Sequence, residues 1–173
     1  MTLRADPYEI LLGHNRWANR ELLTRCAALT EEEFHRRFDI GPGSLHDTLT
    51  HIVACIARWS DRIVGRTLRP SPGGPQGGLV PRRTAGALIE LNDAECAEFA
   101  GVVRDVRAGG AIGEERELAF GDVTYRFTVA AAILHVTNHG MHHRAQCMNM
   151  LRRLGRPVDA ALDELEWQSA GEP

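Results

Sequence analysis

Leu134-His135-Val136-Thr137-Asn138-His139-Gly140-Met141-His142-His143-Arg144-Ala145-Gln146 holds four of the chain's eight histidines. The run around it reads as a long amphipathic helix. Val129, Ala132, Ile133, Val136, Gly140, Cys147, Met150, Leu151 and Leu154 recur at helical spacing and define one apolar stripe. His139 and His143 are four residues apart, so on a helix they lie about 40° from one another and one turn up. Both fall within or at the edge of the stripe and should face the interior. His135 and His142 rotate away from its centre by roughly 110° or more. Two imidazoles placed as His139 and His143 are can converge on one metal ion. The competing use of an inward histidine is as a hydrogen-bonded core residue.

Outward from this stretch, Gly155 and Pro157 stop the helix, which should begin near Thr128. Before it, Leu118 to Phe127 reads as a small hairpin turning at Gly121-Asp122. A further helix is expected from about Arg82 to Arg107, ended by Gly109-Gly110. Residues Gly65 to Pro81 hold four prolines and five glycines, so this is a loop and not a packed element. Ser44 caps another long helix, with Asp47 in its first turn and Leu45, Leu49, Ile52, Val53, Ile56, Trp59 and Ile63 turned inward. His51 lies at the border of that stripe. Thr30-Glu31-Glu32-Glu33 is a capping-box pattern opening a short helix to about Phe38. Asp6-Pro7-Tyr8-Glu9 starts a first helix that runs to about Ala28. Its second apolar patch, Ile10 and Trp17, meets a neighbouring helix or a second subunit. The tail, with Leu162, Leu165 and Trp167, reads as a short strand or arm.

Four long helices and one hairpin predict an all-α four-helix bundle with a short β-hairpin before the last helix. Up-down-down-up and up-down-up-down topologies remain equally open at this point. The 173 residues suit one domain, and 43% hydrophobic with 25% charged residues is ordinary for a soluble protein. A net charge of -3 with scattered arginines gives no basic footprint for nucleic acid. No apolar run reaches membrane length and no signal peptide opens the chain, so a cytoplasmic protein is expected. Cys26, Cys55, Cys96 and Cys147 show no CxxC pairing and read as buried free thiols of a reducing compartment.

Two histidines do not fill a zinc site. His14, His35 and His46 sit near helix ends or off the stripes. His51 is therefore the third ligand preferred on spacing, ahead of an unidentified carboxylate.

His51-Ile52-Val53, together with Asn138-His139-Gly140-Met141-His142-His143-Arg144-Ala145-Gln146, resembles the DinB-like four-helix metalloproteins. Asn15-Arg16-Trp17-Ala18-Asn19 with Leu22-Leu23 is similar to that family's first helix. Pro157-Val158-Asp159 leading to Leu165-Glu166-Trp167 is similar to its C-terminal arm. Ala145 stands where a glycine is common, and the Gly65 to Pro81 loop has no clear counterpart. The resemblance implies a metal held by His51, His139 and His143, with zinc, nickel or iron as occupant, and a homodimer. It also implies thiol chemistry, either transfer of a low-molecular-weight thiol to an electrophile or isomerisation with a thiol cofactor.

Three neutral histidines leave a coordination position open, as in catalytic rather than structural zinc sites. Arg144 and Gln146 would orient an anionic substrate, a cofactor or a ligand histidine. No general base stands out, although Asp47 and Tyr125 are conceivable. The expectation is a metal-dependent, thiol-dependent transferase or isomerase acting on a small-molecule electrophile. A metal-dependent hydrolase, a non-catalytic metal-binding stress-response protein and a metal-free helical dimer are its competitors.

Overall fold

The computed structural model describes residues 5–70 and 82–171. Six helices and one hairpin follow in order: α1 (Pro7–Cys26), α2 (Glu31–His35), α3 (Leu45–Val64), α4 (Ala85–Ala108), β1 (Glu115–Phe120), β2 (Val123–Thr128), α5 (Val129–Arg153) and α6 (Glu164–Ser169). A single 3-10 turn, Ala111–Gly113, precedes β1. The fold is an all-α bundle with the hairpin immediately before the last long helix, as the periodicity implies.

Side-chain caps start the helices. Asp6 accepts from the Tyr8 and Glu9 N–H groups, Thr30 and Glu33 form a complete capping box, and Ser44 accepts from Asp47 N–H. Thr84 caps α4, which puts its start three residues later than Arg82. Helix α2 ends at His35 rather than Phe38. There the Phe38 N–H donates to Gly43 O at 2.7 Å and closes the chain into a turn.

The long helices bury one core: Leu22 and Leu23 from α1, Leu49, Ile52 and Ile56 from α3, Leu88 and Phe99 from α4, and Ile133, Met150 and Leu151 from α5. Helix α1 packs on α4 and α5, and α3 packs on the same two, so α1 and α3 stand diagonally. Ion pairs give the directions. Glu9–Arg104 and Asp6–Arg107 join one end of α1 to the far end of α4, while Arg16–Asp93 lies nearer the middle, so these helices run antiparallel. His46 at the start of α3 accepts from Arg83 N–H at the entrance to α4, so α3 and α4 run parallel. His51 meets α5 near His139 while Trp59 meets it at His135, so α3 and α5 are antiparallel. The topology is up-down-down-up.

Parallel neighbours need a connection as long as the bundle. The Gly65 to Pro81 stretch supplies it, and its residues 71–81 lie outside the described residues. Gly65, with φ 72°, ends α3 in the left-handed conformation. Arg66 and Arg69 then clasp the fully buried Asp61 and reach Glu98 on α4. Burial alone would raise the Asp61 carboxyl; hydrogen bonds from Arg69 N–H and both guanidiniums outweigh it and hold it low.

Two local expectations change. The hairpin begins at Glu115, paired with Thr128, rather than at Leu118. Its added residues, Glu115-Arg116-Glu117, are polar because neither face of this hairpin is deeply buried, so no alternation marks them. The tail is a helix and not a strand. Asp163 caps α6 by accepting from Glu166 N–H, and the Glu166 carboxylate accepts from Leu162 N–H at 2.7 Å. Trp167 is buried against Gly13 of α1, and His14 donates to Leu162 O at 2.8 Å.

Candidate metal centre

The antiparallel seam between α3 and α5 brings His51 opposite His139 and His143. The His139 Nε2 lies 3.1 Å from the Nε2 of His51 and 3.1 Å from the Nε2 of His143. One ligand atom from each of the three lies within 4.8 Å of the others. Nitrogens about 2.0–2.1 Å from a tetrahedral zinc stand about 3.3 Å apart, so this spacing matches a shared ion. His143 is buried, His139 half-buried and His51 exposed, which leaves the group open on the α3 side.

The electrostatics suit a cation. Burial, then the neighbouring His143, pushes His51 down to about 4. Burial, then His143 and His51, pushes His139 down to about 3. Burial also lowers His143, partly offset by its hydrogen bond to Gln146. All three rings are thus neutral at pH 7. His143 donates from Nδ1 to Gln146 Oε1 at 2.8 Å, which leaves its Nε2 unprotonated and aimed at the other two. One ring proton cannot satisfy both 3.1 Å contacts of His139 Nε2, whereas one cation satisfies all three lone pairs. The residues present fit a divalent metal. His139 Nδ1 is buried without a hydrogen-bond partner among the described residues, so packing, including His135 at 5.6 Å between ring centroids, holds that ring.

Gln146 also donates its amide to His142 Nε2 at 3.0 Å, so one side chain links two histidines. Gly41, at φ +50°, lies so close to this amide that a Cβ there would overlap it. Ligand-orienting partners of this kind typically change metal affinity 10–100-fold. Replacing Gln146 by Leu should therefore weaken zinc binding by about tenfold or more, read by competition with a chromophoric chelator. An unchanged affinity would mean that packing alone orients His143.

Arg144 points toward α1 and is buried. Its Nη1 donates to Asn15 Oδ1 at 2.7 Å and Asn19 Oδ1 at 2.9 Å, and Asn19 donates onward to Asn92 at 3.1 Å. Gly140 leaves room for this crossing, since a Cβ there would stand 2.6 Å from Asn15 Oδ1. Burial lowers the guanidinium to about 10. The asparagines were legible as polar residues on the apolar side of the first helix, between Leu12 and Leu22. His135 and His142 are exposed, yet their rings border those of His139 and His143. His46 and His14 are buried and bind the α4 entrance and Leu162. Of the two conceivable bases, Asp47 bonds Arg37 and His46, and Tyr125 is exposed on β2.

The DinB family model matches residues 5–171, from the start of α1 through α6. The chain belongs to the DinB family. It is similar to Protein DinB of Bacillus subtilis (strain 168), with 23% identity over 156 residues, covering 88% of this chain and 90% of that protein. The DinB match thus spans the helices carrying all three histidines.

The histidines of this DinB chain also set a pH dependence. Their folded values lie below the ordinary 6.5, so between that value and about 4 the unfolded chain binds more protons. The metal-free protein should lose stability as pH falls through this window and keep it above. Urea midpoints at pH 7 and pH 4.5 check this: the drop should be smaller in His139→Gln, and an equal drop would place the linkage elsewhere.

Proposed function

We propose that His51, His139 and His143 hold a divalent metal and that the protein is a metal-dependent, thiol-dependent transferase. The observation carrying this reading is the convergence of three neutral imidazoles to which no other His, Cys, Asp or Glu among the described residues adds a ligand. Such a set leaves room for an exogenous ligand. A divalent metal there would supply Lewis acidity, holding a thiol as its nucleophilic thiolate at neutral pH.

The chain's own residues do the rest. His51, on the exposed side, leaves an approach from solvent. Gln146 keeps His143 in the tautomer whose Nε2 faces the centre, and Arg144 fixes α5 against α1. Burial pushes Cys26, Cys55 and Cys96 up to about 12 and Cys147 well above its ordinary value. These thiols stay protonated at neutral pH, which favours a nucleophile from outside the chain. Membership of the DinB family agrees with the metal reading and leaves the reaction to experiment.

The test is to load the protein with zinc or nickel and supply a small thiol with 1-chloro-2,4-dinitrobenzene. Thioether forms as the thiol sulfur displaces chloride and its proton goes to solvent. A metal-dependent rate that disappears in His139→Ala supports the reading. Rates equal to the uncatalysed background with cysteine, glutathione and coenzyme A would overturn it.

A further inference from the structure

Two polar ties join α3 to the chain that leads into α4, one at the start of the crossover and one at its return. At the start, Asp61 is held low despite its burial by Arg69 N–H and the Arg66 and Arg69 guanidiniums, so that tie stays ionic in mild acid. At the return the tie is a histidine. His46, in the first turn of α3, is 1% exposed. Its Nδ1 lies 3.0 Å from Asp47 Oδ1, and its Nε2 lies 3.0 Å from the backbone nitrogen of Arg83.

These two partners fix the tautomer. Burial alone would raise the Asp47 carboxyl; hydrogen bonds from His46 and Ser44, with Arg37 beside it, outweigh burial and hold it low. Asp47 therefore only accepts, and Nδ1 carries the ring proton. A backbone N–H only donates, so Nε2 offers its lone pair to Arg83. The tie exists only while His46 is neutral. The charged and titratable groups facing it are Asp47 on α3, His35 and, beyond it, Glu31 on α2, and Arg82 and Arg83 at the entrance to α4. The His35 ring lies 4.4 Å away at 38°, and Phe34 meets His46 edge-on at 5.6 Å. Burial, then His46 and Arg82, lower His35, so the stacked pair does not carry two charges.

We propose that His46 is an acid-released latch: a proton taken up at Nε2 sets N–H against the Arg83 N–H, breaks that hydrogen bond and lets residues 82–84 leave α3. The proton comes from solvent and the Asp47 bond is kept. Among the described residues Nε2 meets no acceptor, only the Arg83 N–H, so nothing relieves the clash. A buried donor facing a donor costs more than the bond that was lost. The two ties then behave differently in acid, the Asp61 end holding while the His46 end opens. Histidine is the side chain that ordinarily changes charge between about pH 5 and 8, which sets the range to search. The latch does not depend on the metal reading, because His46 stands apart from His51, His139 and His143.

The test is nuclear magnetic resonance of nitrogen-15-labelled, metal-free protein at about pH 7.5 and about pH 5. At the higher pH a scalar coupling across the hydrogen bond should join Arg83 N to His46 Nε2. At the lower pH it should be gone, with His46 Nε2 at the shift of a protonated ring nitrogen. Arg83 amide exchange, corrected for the intrinsic effect of pH, should lose protection about fivefold or more over this interval relative to Phe99 in the interior of α4, which reports global opening. His46→Gln keeps a donor and an acceptor without titrating and should flatten the Arg83 response. Asp47→Asn removes the carboxylate that supports the charged ring and should move the release to lower pH. A coupling that is absent at the higher pH or persists at the lower one overturns the proposal. So does Arg83 protection that follows Phe99 throughout, a response that survives His46→Gln, or a release that Asp47→Asn leaves in place.

Discussion

Replacing His139 by Ala should abolish stoichiometric metal uptake. The wild type, purified without a histidine tag and reconstituted with zinc, should hold about one metal per chain by elemental analysis, and the variant close to none. His139 is the natural choice because its Nε2 is the one within 3.1 Å of both partners. Structural zinc sites bind with about 10–16 kcal/mol from four ligands, so one ligand accounts for roughly 3 kcal/mol, or about a hundredfold in affinity. A second reading separates binding from folding. Metal at 1,000 times its dissociation constant stabilises the folded state by about 4 kcal/mol, and a site a hundredfold weaker gains about 1.4 kcal/mol at the same concentration, so zinc should raise the melting temperature of the wild type about three times as much as that of the variant. A variant that still holds one zinc per chain would show that the ion sits elsewhere.

Trp167→Ala should destabilise the protein by about 3–5 kcal/mol, the usual cost of emptying a buried aromatic site. Trp167 is 2% exposed, and its indole lies on Gly13 so closely that any Cβ at that position would overlap it. The surrounding Leu162 and His14 are tied to each other through the 2.8 Å hydrogen bond, so the site has little freedom to collapse. For a chain of this length the loss corresponds to a fall in melting temperature of about 10 °C. Urea unfolding measures it directly. A loss below about 1 kcal/mol would mean that α6 contributes no more than a surface segment does. Zinc binding should survive in this variant, because α6 packs on α1 and the three histidines lie on α3 and α5.

The bundle was legible because amphipathic helices of twenty or more residues leave a periodic record that short elements do not. Asp6, Thr30 and Ser44 marked helix starts correctly because a cap is a local interaction between residues two or three apart. The Asp163–Glu166 start of α6 carries the same signature, but six helical residues give too few periods to declare a helix. The pair His139 and His143 could be read from spacing, since four residues on one helix fix their relation. For His51 the spacing gave only a preference, from its place at the border of its helix's apolar stripe: it lies 88 residues from His139, and only the packing of α3 on α5 joins them. The approach of Gly41 to Gln146 was hidden likewise, because it depends on a contact between distant segments.

The clasp on Asp61 invites an entropic explanation, since it pins the beginning of the long connection from α3 to α4. Pinning at Arg69 shortens the span from α3 to α4 by only a few residues, and closure entropy grows so slowly with length that this is worth about 0.2 kcal/mol. The carboxylate itself is the larger matter. Asp61 has no exposed surface, and a buried charge stripped of its partner costs about 3–5 kcal/mol. Arg66 and Arg69 therefore serve the helix more than the loop. The start of the crossover is tethered as a by-product of neutralising one acid.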